Sequence, residues 1–272
     1  MLKRLRGMFT RGESQPAGTT WHPHLGGIGG QTLADVLPLF PGAVPRRSIV
    51  LATSERTGSE WLCEIMGGTG VMGRPSEYLN TYWMRRFIPD YPEDVPSQIA
   101  LARRFGVTAN GCLAIKMHPW HFDRLPGDAV FSSFFPDPRF VFLTREDHLG
   151  QAISLVRARQ TEKFHSITSE TRPAEYDARQ IEDALGEVIV SQARWSKFFS
   201  RNGIQPLRLS YEDFAEKPEE TLKRIAAFAG VSIPFARHGI RARLSVQRDG
   251  TSHAWRERFL SEKRDLNRLD GF

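Results

Sequence analysis

Ser48–Gly70 reads SIVLATSERTGSEWLCEIMGGTG, and this stretch joins an apolar run, a short polar loop and a helix-like pattern. The apolar run, residues 49–52, is typical of a buried strand. Polar residues and a glycine interrupt it over residues 53–58. The apolar residues that follow recur at helical spacing, at Trp61, Leu62, Ile65 and Met66. The stretch therefore predicts a strand, a tight loop and a helix.

The loop of this unit is a candidate anion site. It brings backbone N–H groups and the guanidinium of Arg56 to a helix N-terminus, where unpaired amides and the helix dipole favour negative charge. A phosphate or a phosphosulfate group suits such a site. The alternative is an ordinary strand-to-helix turn capped by Ser59, since short Gly/Ser loops before helices are common.

The loop differs from the P-loop of ATP-hydrolysing proteins. The G-x-x-x-x-G-K-[ST] pattern needs a lysine after its last glycine to reach the terminal phosphates. Here Gly58 is followed by Ser59 and Glu60, and the cation, Arg56, precedes the glycine. The sequence therefore favours a different phosphate-bearing cofactor.

Composition and charge narrow the class of protein. The 272 residues carry a net charge of +6, with 40% hydrophobic and 25% charged residues, which is typical of a globular protein and suits anionic ligands. We find no apolar run of about 18 residues and no signal-peptide core, so we expect a cytoplasmic protein without a membrane span. We also expect no nucleic-acid partner, because no binding motif is present and the arginines are spread along the chain.

The cysteines and histidines predict no metal site. Cys63 lies on the helix after the loop and Cys112 opens a later apolar run, so both are expected as reduced thiols in the core. The histidines lack the spacing of metal ligands.

Three further apolar runs predict strands at residues 113–117, 140–144 and 207–210. Helical patterns lie around them, at residues 32–40, 82–88, 97–105, 174–202 and 218–229 and in the segment after Asp147. Strands that alternate with helices indicate an α/β fold, a parallel sheet flanked by helices. We expect residues 1–47 to form a partly ordered extension and residues 48–272 to form a single domain.

Polar side chains follow the second and third predicted strands. Lys116 lies near the end of the second strand, His118 and Trp120 follow it, and Arg145 directly follows the third. Ligands gather at the carboxyl ends of strands in open α/β sheets, so these residues are pocket candidates. Ser154 lies nine residues after Arg145 and can converge with it if the helix between them packs back on the strand end. The alternative for each is an ordinary surface residue.

A carboxylate follows the first strand–loop–helix unit. Glu77 comes after the turn formed by Gly73 and Pro75. Such a residue is usually a solvated loop residue, but in a cleft it can serve as a general base.

Six segments of the chain occur in a characteristic order: SERTGSEWLCE, GVMGRPSEY, AIKMHPW, FVFLTREDHLGQAISLVRARQT, LSYEDFAEKPEETL and VQRDGTSHAWRERF. In this order they resemble the bacterial trehalose 2-sulfotransferase family, and the resemblance extends from about Ser48 to Phe259. It implies a nucleotide-kinase-like sulfotransferase fold and a cytosolic enzyme. Such an enzyme moves a sulfuryl group from 3′-phosphoadenosine-5′-phosphosulfate (PAPS) to a hydroxyl of a small acceptor, such as a sugar or glycolipid, without a metal.

The resemblance also implies cofactor-binding residues. The loop that holds the 5′-phosphosulfate corresponds to Arg56, Thr57, Gly58 and Ser59. Arg145 and Ser154 match the pair that holds the 3′-phosphate. Gln247 and Arg248 match a C-terminal segment beside the cofactor.

On the acceptor side, Glu77 matches the proposed general base, and Arg56 with the loop amides would stabilise the leaving nucleotide. Lys116 matches the lysine that ends the strand before the acceptor pocket. His118 and Trp120 are further acceptor-binding candidates.

Two residues depart from the family pattern. Glu60 stands where the family usually has threonine or serine, and a carboxylate beside a dianionic group is repulsive. We therefore expect Glu60 to turn away or to pair with a nearby basic residue. Arg74 stands where the trehalose enzyme has an acidic residue near its sugar, so the acceptor can differ from trehalose.

Two other functions are consistent with the sequence. A nucleotide-kinase-like phosphotransferase would share the sheet and the loop, but the glycine–lysine pair and a clear Mg²⁺-binding aspartate are missing. A non-catalytic PAPS-binding protein would tolerate Glu60. A homodimer is one possible assembly.

Overall fold

Four parallel strands form the sheet of the computed structural model. They are β1 (Arg47–Thr53), β2 (Cys112–Met117), β3 (Pro138–Thr144) and β4 (Leu207–Ser210). Their order in the sheet is β2-β1-β3-β4. The prediction of four strands in a parallel α/β sheet is confirmed. The structure describes residues 30–126, 131–162, 164, 173–233, 250–267 and 269.

Helices connect and cover the strands. In chain order they are α1 (Leu33–Val36), α2 (Ser59–Gly68), α3 (Thr81–Met84), α4 (Val95–Phe105), α5 (Pro119–Phe122), α6 (Phe131–Phe134), α7 (His148–Thr161), α8 (Ala178–Arg201), α9 (Tyr211–Glu216), α10 (Pro218–Ala229) and α11 (Gly250–Lys263). A 3₁₀ turn, Leu37–Leu39, follows α1. Within the described ranges, we find no helix with both the length and the apolar character needed to cross a membrane.

The predicted helix at residues 82–88 is wrong for most of its length. The helix α3 ends at Met84, and the chain continues in turns, although Phe87 and Ile88 are buried. Pro89 follows Ile88, and a proline makes the α conformation unfavourable for the residue before it. The apolar spacing of this segment therefore reflects buried turns rather than a helix face.

Capping residues shift the starts of two predicted helices. The helix α8 begins at Ala178, because the side chain of Asp177 accepts hydrogen bonds from the first backbone N–H groups of the helix. Likewise α4 begins at Val95, one residue after its capping residue Asp94. The predicted helix at residues 32–40 divides into α1 and the 3₁₀ turn, which contains a proline in its first positions.

Side chains of β1 alternate between two apolar cores. Val50 and Ala52 lie in a core that includes residues of α4 and α8. Ile49 and Leu51 lie in the opposite core, with residues of α2 and α10. This alternation places helices on both faces of the sheet, as parallel sheets require.

The strand order creates a crevice at the carboxyl ends of the strands. In the sheet, β1 lies between β2 and β3. The connection from β1 therefore runs to one side, to β2, whereas the connection from β3 runs to the other side, to β4. The carboxyl ends of strands open a ligand crevice where connections diverge in this way. The loop at residues 54–58 leaves β1, and residues 145–147 leave β3, at this crevice.

A glycine brings the segment at residues 73–77 against β2. The backbone N–H of Lys116 donates to the carbonyl of Ser76 (3.0 Å). Gly73 has a φ of 72°, and a Cβ at this position would lie 2.4 Å from the backbone nitrogen of Ala114. A residue with a side chain therefore cannot occupy this position without moving the segment away from the strand.

We expect Gly73→Ala to destabilise the protein more than Gly70→Ala. Gly70 also has a positive φ, 69°, but a Cβ there would meet no atom within 4 Å. Gly70→Ala should lose about 1–2 kcal/mol from the left-handed backbone, and Gly73→Ala about 1–3 kcal/mol more from overpacking against β2. Denaturant unfolding of both variants measures the difference. Equal free energies of unfolding would contradict the role given to Gly73.

Candidate active site

Side chains from α7 and α8 fix the end of β1. The carbonyl oxygen of Thr53 accepts a hydrogen bond from the indole Nε1 of Trp195 (3.1 Å). The amide nitrogen of Gln151 donates to the hydroxyl of Ser54 (2.9 Å) and to the carbonyl of Glu55 (2.5 Å). Trp195 and Gln151 are both buried, so the loop after β1 starts from a rigid support.

The loop turns through two residues in the left-handed region. Arg56 and Gly58 have φ values of 62° and 74°. A Cβ at Gly58 would lie 2.5 Å from Cδ2 of Tyr211. Glycine is therefore required here both for the backbone conformation and for the close approach of the Tyr211 ring.

The start of α2 differs from the alternative interpretation, a strand-to-helix turn capped by Ser59. Gly58 is the N-cap residue and has no side chain to bond the first-turn amides, and Ser59 is the first helical residue. The hydroxyl of Thr57 lies 2.6 Å from the hydroxyl of Thr53 and is buried. Backbone amides and the Arg56 guanidinium are therefore the main binding groups that the loop can offer to an anion.

Two arginines and a serine form one hydrogen-bonded group at the crevice between β1 and β3. The Nε of Arg56 donates to the hydroxyl of Ser154 (3.0 Å), and its Nη1 donates to the carbonyl of Phe164. Arg145 donates to the carbonyl of Arg56 (3.4 Å) and lies over the ring of Tyr211, 5.3 Å from its centroid. Arg145 and Ser154 were expected to converge, and Arg56 joins them.

The electrostatics of this group favour an anion. Burial and the neighbouring charge of Arg145 lower the pKa of Arg56 to about 10. The Arg56 guanidinium remains positive at neutral pH, since its pKa stays well above that value. A phosphate bound between them would offset their repulsion.

Helix α11 is held against α7 next to this group. Asp147 accepts a hydrogen bond from the backbone N–H of Gly150 (2.9 Å) at the start of α7. Its carboxylate also pairs with Arg145 (3.6 Å) and with Arg256 of α11. The same carboxylate therefore caps α7, contacts Arg145 and anchors α11.

Two predicted cofactor-binding residues, Gln247 and Arg248, lie outside the described residues. They precede α11, whose Ser252 accepts a hydrogen bond from Nη1 of Arg157 in α7 (2.6 Å). Their role stays a prediction.

Charged side chains meet at the carboxyl end of β2. The Nζ of Lys116 contacts Oε1 of Glu60 and lies 2.7 Å from Oε1 of Glu77. The Nε2 of His118 lies 3.3 Å from the same Glu77 oxygen, and Asn80 donates to Oε2 (2.7 Å). Glu60 was expected to turn away or to pair with a nearby basic residue, and it pairs with Lys116. Since Lys116 is 3% exposed and Glu77 13%, these charges interact with little screening by water.

Hydrogen-bond partners assign the protons of the two histidines in this cluster. The Nδ1 of His118 faces the carbonyl of Thr53 (3.3 Å) and its Nε2 faces the Glu77 carboxylate, so both ring nitrogens have an acceptor. This arrangement favours the imidazolium form. The Nδ1 of His121 accepts from the backbone N–H of His118 (3.1 Å), which leaves its proton on Nε2, 3.7 Å from Oε2 of Glu77.

The pKa shifts agree with these assignments. Burial would raise the pKa of Glu77, but Lys116 and His118 outweigh it and hold that pKa well below its usual range. Burial would lower the pKa of His118, but Glu77 raises it above the ordinary value. For His121 burial prevails over the attraction of Glu77 and lowers the pKa well below its usual range. Glu77 is therefore ionised and His121 neutral at neutral pH.

The cluster is bordered by an exposed aromatic ring. Trp120 is 39% exposed, and its Nε1 donates to Oε1 of Glu55 in the loop after β1 (3.0 Å). The ring centroids of Trp120 and His121 lie 3.6 Å apart. Of the three predicted acceptor-binding residues, Trp120 is exposed, whereas Lys116 and His118 are buried and bonded within the cluster.

Arg74 does not carry its charge into the cluster. Its Nη1 donates to the carbonyls of Val107 (2.5 Å) and Phe105 (3.3 Å). The guanidinium also lies 5.5 Å from the ring centroid of Phe40. This departure from the family pattern thus stabilises the turn after α4.

Four supporting residues were missed by the sequence analysis: Asn80, Gln151, Trp195 and Tyr211. Asn80, Gln151 and Trp195 act through side-chain contacts that no local pattern indicates. Tyr211 follows the carboxyl end of β4 directly, so the rule that selected Arg145 after β3 would also have selected it.

A curated relative matches most of the chain. The trehalose 2-sulfotransferase of Mycolicibacterium smegmatis is 24% identical, and the match covers 82% of this chain and 97% of that protein.

Solved structures show weaker likeness. A sulfotransferase domain from the curacin biosynthetic pathway is 18% identical, with a TM-score of 0.43 over 72% of this chain and 77% of that chain. The sulfotransferase domain of the Synechococcus PCC 7002 olefin synthase is 15% identical, with a TM-score of 0.39 over 85% of this chain and 92% of that chain. Retinol dehydratase in a complex with retinol and PAP is 14% identical, with a TM-score of 0.38 over 85% of this chain and 86% of that chain.

The family is assigned by the sequence. The model of the Stf0 sulphotransferase family matches residues 109–262, more than half of the chain, including β2, β3 and the residues that follow each of them. The chain therefore belongs to the Stf0 sulphotransferase family.

Proposed function

We propose that this sulfotransferase moves the sulfuryl group of PAPS to a hydroxyl of a carbohydrate or other small acceptor. The observation that carries the proposal is the position of two groups at neighbouring strand ends. An arginine and serine group lies at the crevice between β1 and β3, and an ionised carboxylate, Glu77, lies at the end of β2. Cations for a nucleotide and a base for a hydroxyl are the two requirements of the reaction.

The nucleotide would bind along the first group. Arg145 and Ser154 would hold the 3′-phosphate, and Arg56 would turn toward the phosphates from its present contact with Ser154. The first-turn amides of α2, which Gly58 leaves uncapped by a side chain, would receive the 5′-phosphosulfate. Gln151 supports this binding by holding the loop to α7.

In the chemical step, the acceptor oxygen attacks the sulfur of PAPS as the bond between sulfur and the 5′-phosphate oxygen breaks. The sulfuryl group ends on the acceptor, and 3′-phosphoadenosine-5′-phosphate (PAP) leaves with the electron pair of the broken bond. Glu77 takes the acceptor proton. Lys116 and His118 keep Glu77 ionised and limit its affinity for a proton, so the hydroxyl would lose its proton only as the new bond to sulfur forms. Arg56 and the loop amides would stabilise the charge on the departing phosphate.

An exposed indole supports a sugar as the acceptor. The accessible ring of Trp120 lies beside the rings of His118 and His121, and these two histidines face Glu77. An aromatic ring combines an apolar face with a polar edge, which suits a molecule that has both C–H and hydroxyl surfaces. The curated relative is named for trehalose, so trehalose is the first acceptor to test.

We expect Arg56→Ala and Arg145→Ala each to weaken PAP binding. Each removes a charge-assisted hydrogen bond to a phosphate, so affinity should fall about tenfold or more, about 1.4 kcal/mol. Isothermal calorimetry with PAP measures the change. Arg139→Ala is the matched control, because Arg139 lies near the start of β3 and pairs with Asp137 (3.0 Å). Unchanged affinity in both site variants would contradict the proposed nucleotide site, and tighter binding of ATP than of PAP would favour a phosphotransferase.

We expect Glu77→Gln to lose turnover while it keeps PAP affinity. Glutamine preserves the shape of the side chain but cannot take the acceptor proton, and removing a general base typically lowers the rate by about 10²–10⁴-fold. The rate of PAP release from PAPS with trehalose, and with other sugars in parallel, measures the effect. A variant that turns over at the wild-type rate would exclude Glu77 as the base. Binding of PAPS without any release of PAP by the wild type would indicate a non-catalytic binding protein.

A further inference from the structure

Lys116 is almost completely buried and contacts two carboxylates from different parts of the chain. Its side chain is 3% exposed, and its Nζ contacts Glu60 in the first turn of α2 and Glu77 in the segment beside β2. The two carboxylates are themselves 18% and 13% exposed. A buried ammonium is stable only when it is paired and hydrogen-bonded, so this lysine depends on both partners.

Of the groups around Glu77, two are charged and two are neutral. Glu77 faces Lys116 and the His118 imidazolium, and its other neighbours, Asn80 and the neutral His121, carry no charge. Glu77 therefore faces two positive charges, one more than its carboxylate can neutralise. Lys116 needs a second carboxylate, as counter-ion, to balance its charge.

Glu60 supplies that counter-ion from α2. It contacts Lys116 directly and also lies within electrostatic reach of Arg56. Cys63, one turn further along α2, is a buried thiol whose pKa is raised by burial, so it adds no charge at neutral pH.

We propose that Glu60 is the required counter-ion of Lys116 and that the two together act as a positioning pair for Glu77. On this view Lys116 is not a ligand of the acceptor. The inference rests on the proposed function, because it assigns partners to the proposed base, but the contacts that carry it are those of the protein alone.

The proposal predicts a specific dependence between Glu60 and Lys116. Removal of Lys116 alone leaves the Glu60 and Glu77 carboxylates close together in a nearly dry site, where like charge and burial both raise a carboxylate pKa. Removal of both members of the pair leaves Glu77 with His118 and avoids this repulsion. The loss caused by Lys116→Met should therefore be smaller in a chain that already carries Glu60→Gln.

A double-mutant cycle in the full-length protein tests this dependence. Denaturant unfolding at pH 7 is measured for the wild type, Glu60→Gln, Lys116→Met and the double variant. We expect Lys116→Met to increase the unfolding equilibrium constant at least about tenfold more in the wild-type background than in the Glu60→Gln background. Arg194 and Asp123 (2.5 Å), whose side chains are 47% and 53% exposed, form the control pair. Arg194→Met and Asp123→Asn should be nearly additive.

The pH dependence separates charge compensation from simple packing. In Lys116→Met a carboxylate with a raised pKa binds a proton in the folded state that the unfolded chain releases above about pH 4.5, so stability should fall as the pH rises from 5 to 8. The double variant should lack this additional fall. Equal slopes for the two variants, or additive unfolding constants, would overturn the proposal.

Two outcomes remain decisive if a variant is too unstable to study. If Lys116→Met fails to fold while the double variant folds, the dependence is established directly. If neither folds, Glu60 is not the residue that makes Lys116 necessary. The cycle uses neither PAPS nor an acceptor, so failure of the proposed function would appear separately, as a wild-type protein that does not bind PAP.

Discussion

The carbonyl oxygen of Thr53, at the last position of β1, organises the site because two side chains donate to it. Trp195 reaches it from α8, and His118 reaches it from the end of β2. The first contact fixes where the loop after β1 begins. The second places the His118 ring so that its other nitrogen faces Glu77. One strand end thereby sets the position of both the loop at residues 54–58 and the charged cluster around Glu77.

From this point the two parts of the site follow from the strand order. With β1 between β2 and β3, the residues after each neighbour extend toward opposite sides of the loop. Arg145 after β3 meets Arg56, whereas Lys116 and His118 at the end of β2 meet Glu77. The loop therefore has Arg145 on one side and the Glu77 carboxylate on the other, and in the proposed mode of binding a nucleotide would present its terminal group between them.

Much of the fold was predictable because local patterns determine it. The four strands are apolar runs buried between helices, and the pattern of these runs put Arg56 and Arg145 in the segments that directly follow β1 and β3. Where prediction failed, a competing local signal prevailed. Pro89 ended an apolar helical pattern early, and Asp177 set the start of α8.

The partners of the site residues were harder to predict, since they come from distant parts of the chain. Glu60 was expected to turn away or to pair with a nearby basic residue, and its partner, Lys116, lies 56 residues away on β2. Arg56 was assigned to one end of the nucleotide, yet its Nε bonds Ser154, which was assigned to the other end. Sequence patterns identify residues that face a strand end, but the hydrogen bonds among those residues depend on how α2, α7 and α8 pack.

The central claim is that nucleotide phosphates bind at the crevice between β1 and β3 with Glu77 facing the transferred group. The most direct measurement is a crystal structure of the protein with PAP bound. The account predicts the 3′-phosphate in contact with Arg145 and Ser154, and the 5′-phosphate against Arg56 and the first-turn amides of α2. A nucleotide bound at another edge of the sheet, or with its phosphates directed away from these residues, would contradict it.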